Sequence, residues 1–284
     1  MTIRKIAVIG GGQTGQSIAE AVASAGIGVI IRELTDELAS QAYTRLGIEL
    51  DRRIRKWSIT ESDKRAILAR IQTTSDLIKL KNVDFIIEAI PDNFEAKVDL
   101  YGELEDIISS NIIIATNTSA LSITELASKT RRPDKFIGVH FLLPVYKTSL
   151  VEIVRGFETS DETFTFARNF VEAVNKTSIE VFEYPGYVTT RIILPFINEA
   201  MYVVMEGVAA AEDVDIAMKK GYNFPIGPLE LADRLRLDHI MNWMETLFHE
   251  LGDLKYRPCP LLRKMVRAGR LGAWTGKGFF DYDK

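Results

Sequence analysis

The 284-residue chain has little cysteine and little histidine, with one Cys and three His. The lone Cys259 excludes an internal disulfide and fits a reducing cytosol. It stands between Pro258 and Pro260 with no His or Cys beside it, which marks a bystander rather than a nucleophile. No His/Cys/Asp cluster has the spacing of metal ligands, so no metal is expected. No apolar run reaches the roughly 18 residues that a membrane span needs. The chain starts on a strand pattern without a signal peptide, so the expectation is a cytoplasmic protein with no membrane partner. There is no long basic run, and the formal net charge is −4, which argues against nucleic acid as a partner. No internal repeat is present. What remains is ordinary for a globular protein, at 46% hydrophobic and 26% charged residues. The length suits one large or two modest domains.

The organising stretch is residues 1–33. Ile6-Ala7-Val8-Ile9 is an apolar, β-branched run suited to a buried parallel strand. It leads into Gly10-Gly11-Gly12-Gln13-Thr14-Gly15, a G-x-G-x-x-G, and then a helical pattern with Ile18, Ala19 and Val22 on one face. Gly26 and Gly28 are expected to end that helix, and Val29-Ile30-Ile31 starts a second strand. Gly10 allows a tight turn, Gly12 lets backbone approach a pyrophosphate, and Gly15 lets helix pack on strand. Free N–H groups and the dipole of the helix N-terminus attract phosphates. Glu33 follows the second strand, where an acid hydrogen-bonds the adenosine ribose 2′-OH and repels a 2′-phosphate. The pattern therefore predicts NAD over NADP. Arg32 opposes that preference, since a guanidinium there could hold the phosphate.

Residues 35–71 read as a charged helical arm, with Arg52, Arg53, Arg55 and Lys56 clustered near its middle. That cluster is either a solvated helix face or a phosphate-binding arm. Further buried strands are predicted at residues 83–90, 112–115 and 136–140, with a helix at 94–107 and a Ser122/Glu125 capping box between them. A strand at 149–154, a helix capped by Ser160 and a last strand at 178–181 follow. The alternation predicts a Rossmann-type doubly wound α/β sheet. Ligands bind such sheets beyond the carboxyl ends of the strands, where Ser119 and His140 lie. Glu183-Tyr184-Pro185-Gly186 marks a boundary. An NAD-binding domain over residues 1–184 and an all-helical C-terminal domain over 185–284 are expected. Pro195 should kink the first helix of the second domain unless that helix begins near it. The glycine- and aromatic-rich tail, 272–282, reads as docked irregular structure.

Transfer of hydride from an alcohol also needs a base for the hydroxyl proton. An imidazole suits that role, given an acceptor that fixes its tautomer and stabilises its cation. Glu152 is the candidate acceptor, since a hairpin around Pro144 could bring its strand beside that of His140. The competing reading is a core histidine and a surface glutamate. His239 and His249 stand in amphipathic helical surroundings and read as structural or exposed.

These motifs together resemble the L-3-hydroxyacyl-CoA dehydrogenase family, and within it the short-chain 3-hydroxybutyryl-CoA dehydrogenases. The likeness runs nearly the full length. It includes the Gly10–Gly15 fingerprint, Glu88-Ala89-Ile90-Pro91, Asn117-Thr118-Ser119, Gly138-Val139-His140-Phe141 and Leu150-Val151-Glu152-Ile153-Val154. Pro185-Gly186-Tyr187, Glu206-Gly207, Pro225-Ile226-Gly227-Pro228 and Gly269-Arg270-Leu271-Gly272 extend it through the second half. The resemblance implies His140 as general base, Glu152 as its partner, and Ser119 at the substrate hydroxyl or thioester. It implies cofactor contacts at Glu33, Asp92, Lys97 and Asn117 beside the glycines, and places Lys56 near the CoA phosphates. It further implies an acyl-CoA substrate, NAD as cofactor, a role in fatty acid metabolism and a homodimer formed through the helical domain.

The chain departs from the family pattern in three places. Where the family reads His-Phe-Phe-Asn-Pro, this chain has His140-Phe141-Leu142-Leu143-Pro144, and where it reads Val-Asn-Arg, this chain has Thr189-Thr190-Arg191. Leu143 and Thr190 thus replace two amides, one by the nicotinamide and one by the substrate carbonyl. Threonine still donates one hydrogen bond, so Thr190 is expected to be a catalytic residue; leucine donates none. An oriented donor at a reacting carbonyl is worth roughly 3 kcal/mol. Arg236 stands where the family has glycine. Two alternatives follow: a dehydrogenase of a free 3-hydroxy acid, of the gulonate or carnitine type, and a weakly active paralogue that binds NAD or acyl-CoA.

Overall fold

A computed structural model describes residues 3–119 and 121–282. The chain divides into two compact units, Met1–Tyr184 and Pro185–Lys284.

The first unit holds an eight-stranded sheet, because its β-branched runs are apolar on both faces and need helices on each side. The strands are β1 (Lys5–Ile9), β2 (Gly28–Arg32), β3 (Ile71–Thr74), β4 (Phe85–Glu88), β5 (Ile113–Thr116), β6 (Phe136–Phe141), β7 (Leu150–Arg155) and β8 (Thr177–Phe182). Their order is β3-β2-β1-β4-β5-β6-β7-β8. Every pairing is parallel except β6 with β7. The helices are α1 (Gln13–Ser24), α2 (Asp36–Arg55), α3 (Glu61–Leu68), α4 (Phe94–Glu105), α5 (Ile123–Ser128) and α6 (Asp161–Ala173). Ile6, Val8, Ile18, Val22, Phe85, Ile87, Ile137 and Phe170 are among the buried residues of its core. The strand order reverses between β1 and β4, so the carboxyl ends of those two strands frame the crevice where this fold binds ligands.

Two local expectations are corrected. The helical arm expected over 35–71 is two helices: α2 stops at Arg55, and Thr60 restarts the chain as α3 through a capping box with Asp63. Ile71 opens β3, an edge strand too short for its period to show beside two charged helices. Gly28 is already the first residue of β2; Gly26 alone supplies the left-handed turn after α1, at φ +89°.

The second unit is helical: α7 (Thr189–Met205), α8 (Ala211–Gly221), α9 (Pro228–Leu235), α10 (Leu237–Leu251) and α11 (Pro260–Arg267). Leu194, Ile197, Met201, Leu229, Ile240, Met244 and Leu262 pack into its core, with Cys259 fully buried among them. Pro195 lies inside α7 rather than at its start, where it removes one ladder bond. Asp215 caps α9, accepting from Leu229 N and Glu230 N, both at 2.9 Å. Asp233 ties down the tail, accepting from Phe279 N at 2.9 Å, Phe280 N at 3.0 Å and the Tyr282 hydroxyl at 3.1 Å.

Candidate active site

The loop from β1 to α1 is shaped by contacts that only glycine permits. Gly10 has φ +99°, and a Cβ on it would lie 2.8 Å from the Ala89 carbonyl oxygen. A Cβ on Gly15 would collide with the carbonyl of Gly10, whereas Gly12 faces open space. No side chain caps α1, and no acid stands in its first turn. Its leading N–H groups are thus left to an external anion. Glu33 reaches across the loop, one oxygen accepting from Gly11 N at 2.6 Å and the other from Leu34 N at 3.3 Å. Arg32 turns its Nε to the Ser75 carbonyl at 3.3 Å.

The hairpin of β6 and β7 sets His140 directly opposite Glu152. Facing residues of an antiparallel pair share one side of the sheet, within side-chain reach. His140 Nδ1 lies 2.7 Å from Glu152 Oε2, and Nε2 lies 3.0 Å from Ser119 Oγ. Glu152 is fully buried and His140 is 5% exposed. A buried carboxylate at Nδ1 assigns the proton to that nitrogen, so Nε2 presents its lone pair to the serine hydroxyl. The reading of a core histidine with a surface glutamate is thereby overturned.

The comparisons with known proteins decide the family. Residues 5–184 match the family model described as 3-hydroxyacyl-CoA dehydrogenase, NAD binding domain, and residues 186–282 match its C-terminal domain. The chain belongs to the 3-hydroxyacyl-CoA dehydrogenase family. It is 44% identical over 284 residues to a "Probable 3-hydroxybutyryl-CoA dehydrogenase" of Bacillus subtilis, covering 100% of this chain and 99% of that one. It is 33% identical over 290 residues to the human mitochondrial hydroxyacyl-coenzyme A dehydrogenase, covering 99% and 91%. Among solved structures it resembles the (S)-3-hydroxybutyryl-CoA dehydrogenase of Ralstonia eutropha, with TM-score 0.90, 43% identity and full coverage of both chains.

In this 3-hydroxyacyl-CoA dehydrogenase a second buried network lies beside the glycine loop. Glu88, at the end of β4, is fully buried. One of its oxygens accepts from Lys97 Nζ at 2.6 Å and Ile90 N at 2.7 Å; the other accepts from Tyr101 and Thr116 hydroxyls, each at 2.7 Å. Burial first, and the Glu88 charge second, raise the Tyr101 pKa well above the ordinary value, keeping the phenol a donor. Lys97, expected at the cofactor, is engaged within the chain. Lys97 is 1% exposed, and its ammonium is taken up by Glu88, the Ile90 carbonyl at 3.1 Å and Asp92 at 3.5 Å. It holds the 88–92 turn in shape. Asp92 in turn accepts from Ser119 N at 3.4 Å, and Asn117 Oδ1 accepts from Phe141 N at 2.8 Å. The missed residue is therefore Glu88. Its signal was an acid closing the apolar run Phe85-Ile86-Ile87, with Lys97 and Tyr101 four apart on the following helix.

The basic cluster of the arm divides. Arg53 is nearly buried, paired with Glu20 of α1 and stacked 4.2 Å from the Tyr146 ring. Arg52 pairs with Glu49 at 2.9 Å. Arg55 and Lys56 are exposed and, among the described residues, have no ion-pair partner. Leu143 packs against the first unit's core. Thr190 belongs to the second unit, buried in the first turn of α7. Arg236 keeps the left-handed backbone of a glycine, at φ +73°, with its guanidinium 2.7 Å from Asp238 and 5.4 Å from the Trp274 ring centre.

Proposed function

We propose that this enzyme oxidises short (S)-3-hydroxyacyl-CoA thioesters, 3-hydroxybutyryl-CoA among them, to 3-oxoacyl-CoA with NAD, and runs the reverse reaction. The observation that carries this reading is His140 held between Glu152 and Ser119 at the carboxyl end of the sheet. The glycine loop fits the cofactor: Gly12 is open, the leading turn of α1 is uncapped, and the Glu33 carboxylate lies against the loop, where it would accept from a ribose hydroxyl. NAD, when bound, supplies the hydride acceptor for the carbinol carbon. His140 Nε2 takes the hydroxyl proton, so one hydride and one proton leave the alcohol. Glu152 keeps the imidazole in one tautomer and stabilises the cation that forms. The Ser119 hydroxyl, aimed at Nε2, hands its hydrogen bond to the substrate oxygen and aligns it with the base. Lys56 takes a CoA phosphate, and Thr190 offers a hydroxyl where the family carries an amide. The molecule works as a cytosolic homodimer paired through its helical unit, in the metabolism of fatty acids.

A substrate panel monitored by NADH absorbance tests the reading. (S)-3-Hydroxybutyryl-CoA and its longer homologues should be turned over well above free 3-hydroxybutyrate. Higher kcat/KM on the free acid would replace the thioester reading with that of a free hydroxy-acid dehydrogenase. No turnover of any member would leave a binding paralogue.

A further inference from the structure

The turn that ends α2 carries a residue that folding does not explain. Trp57 N donates to the Ile54 carbonyl at 2.9 Å, and Ser58 N to the Arg53 carbonyl at 3.0 Å. Those two bonds close a helix C-terminus in which the intervening residue must be left-handed, a place that favours glycine. Trp57 occupies it at φ +57°. A bulky side chain is disfavoured in that backbone region, and burial returns nothing, because Trp57 is 95% exposed. Among the described residues its ring has no aromatic or cationic partner.

The indole borders a depression of about 460 Å³ lined by Ile54, Arg55, Trp57, Ile59, Thr60 and Glu61. Its chemistry has three parts. The indole and the two isoleucines offer flat and apolar surface. Arg55 in the lining and Lys56 beside it are unpaired cations. Glu61 is an acceptor on the rim. A purine stacks on an indole, and its exocyclic amine donates to a carboxylate. The phosphates of the same nucleotide need adjacent cations.

We infer that Trp57 is the stacking platform for the adenine of the substrate's CoA handle, with Arg55 and Lys56 taking its phosphates. This assignment rests on the acyl-CoA reading above and adds the residue that reads the base. It makes Trp57 a binding residue for the handle, remote from the reacting carbon.

Two measurements on the full-length enzyme test it. The first compares 3-hydroxybutyryl-CoA with 3-hydroxybutyryl-pantetheine, which lacks the nucleotide. Trp57→Gly restores the residue the turn favours, so the fold is kept. It should raise the KM for the CoA thioester about tenfold, the scale of one base–aromatic stack. The KM for the pantetheine thioester should move less than twofold. Trp57→Phe keeps a ring and should stay within about threefold of wild type on the CoA thioester. Equal KM changes on both thioesters, or none on either, would overturn the assignment while leaving the dehydrogenase reading intact.

The second measurement needs no turnover. Adenosine 3′,5′-bisphosphate is titrated into enzyme saturated with NAD, which fills the other adenosine site. It should quench indole fluorescence in the wild type and not in Trp57→Phe, and calorimetry should show weaker binding to Trp57→Gly. Quenching that survives in Trp57→Phe would place the base elsewhere. A wild type that binds the bisphosphate through Trp57 yet oxidises no CoA thioester would sink the dehydrogenase reading alone.

Discussion

His140 of β6 is set by two short contacts, 2.7 Å to Glu152 of β7 and 3.0 Å to Ser119 in the loop after β5. Glu33, proposed for the cofactor side, already holds Gly11 N with its carboxylate at 2.6 Å. Glu33→Ala should therefore have two effects. The KM for NAD should rise about tenfold, the scale of one lost hydrogen bond to a charged group, and discrimination against NADP should shrink. Steady-state kinetics with each cofactor read both, and a variant as selective as wild type would remove Glu33 from cofactor choice. Residues at strand ends, such as Glu33 and His140, were legible in the sequence because the topology of an alternating α/β chain fixes where strand ends lead. The Glu88–Lys97 pair was not legible. Whether a lysine nine positions on faces outward to a cofactor or inward to an acid depends on how α4 rotates against the sheet, which local pattern does not encode.

At the scale of elements, the arm and the tail show what sequence pattern leaves open. The charged period of residues 35–71 concealed a turn and, at its last residue, the start of edge strand β3, whose four residues carry too few alternations to register. The cluster of arginines looked uniform, yet Arg53 turns inward to Glu20 while Arg55 stays in water, since the helix rotates each residue by about 100°. The tail was legible as docked structure, but its anchor, Asp233, was not. Gly278 is needed there, since a Cβ would collide with the Asp233 carboxylate. Burial raises the Asp233 pKa above the ordinary carboxylate value, against the hydrogen bonds from Phe280, Phe279 and Tyr282 that lower it. The folded chain therefore holds this proton to higher pH than the unfolded chain does. The contribution to stability is full below the unfolded value of about 3.9 and is lost as pH rises through the raised folded value. Thermal melts of the second unit's signal across that window should show a decline that is flatter in Asp233→Asn, although this variant melts lower throughout because one acceptor oxygen is gone. An unchanged slope would mean that another group titrates there.

For the whole molecule, the helical unit leaves Ile192, Val208, Ile216 and Tyr222 more than half exposed, apolar surface of the kind that the proposed second copy would cover. Val208→Glu combined with Ile192→Glu should shift the mass seen by analytical ultracentrifugation from dimer to monomer. A mass unchanged by these charges would place the pairing face elsewhere. We propose His140 as the base of an NAD-dependent hydroxyacyl-CoA oxidation. The direct measurement is NADH formation from (S)-3-hydroxybutyryl-CoA by wild type, Glu152→Gln and His140→Gln. Wild type should show steady turnover. His140→Gln should lose at least about a hundredfold in kcat with little change in NAD binding, and Glu152→Gln should lose turnover with an altered pH–rate profile. Near-wild-type turnover by His140→Gln would contradict it.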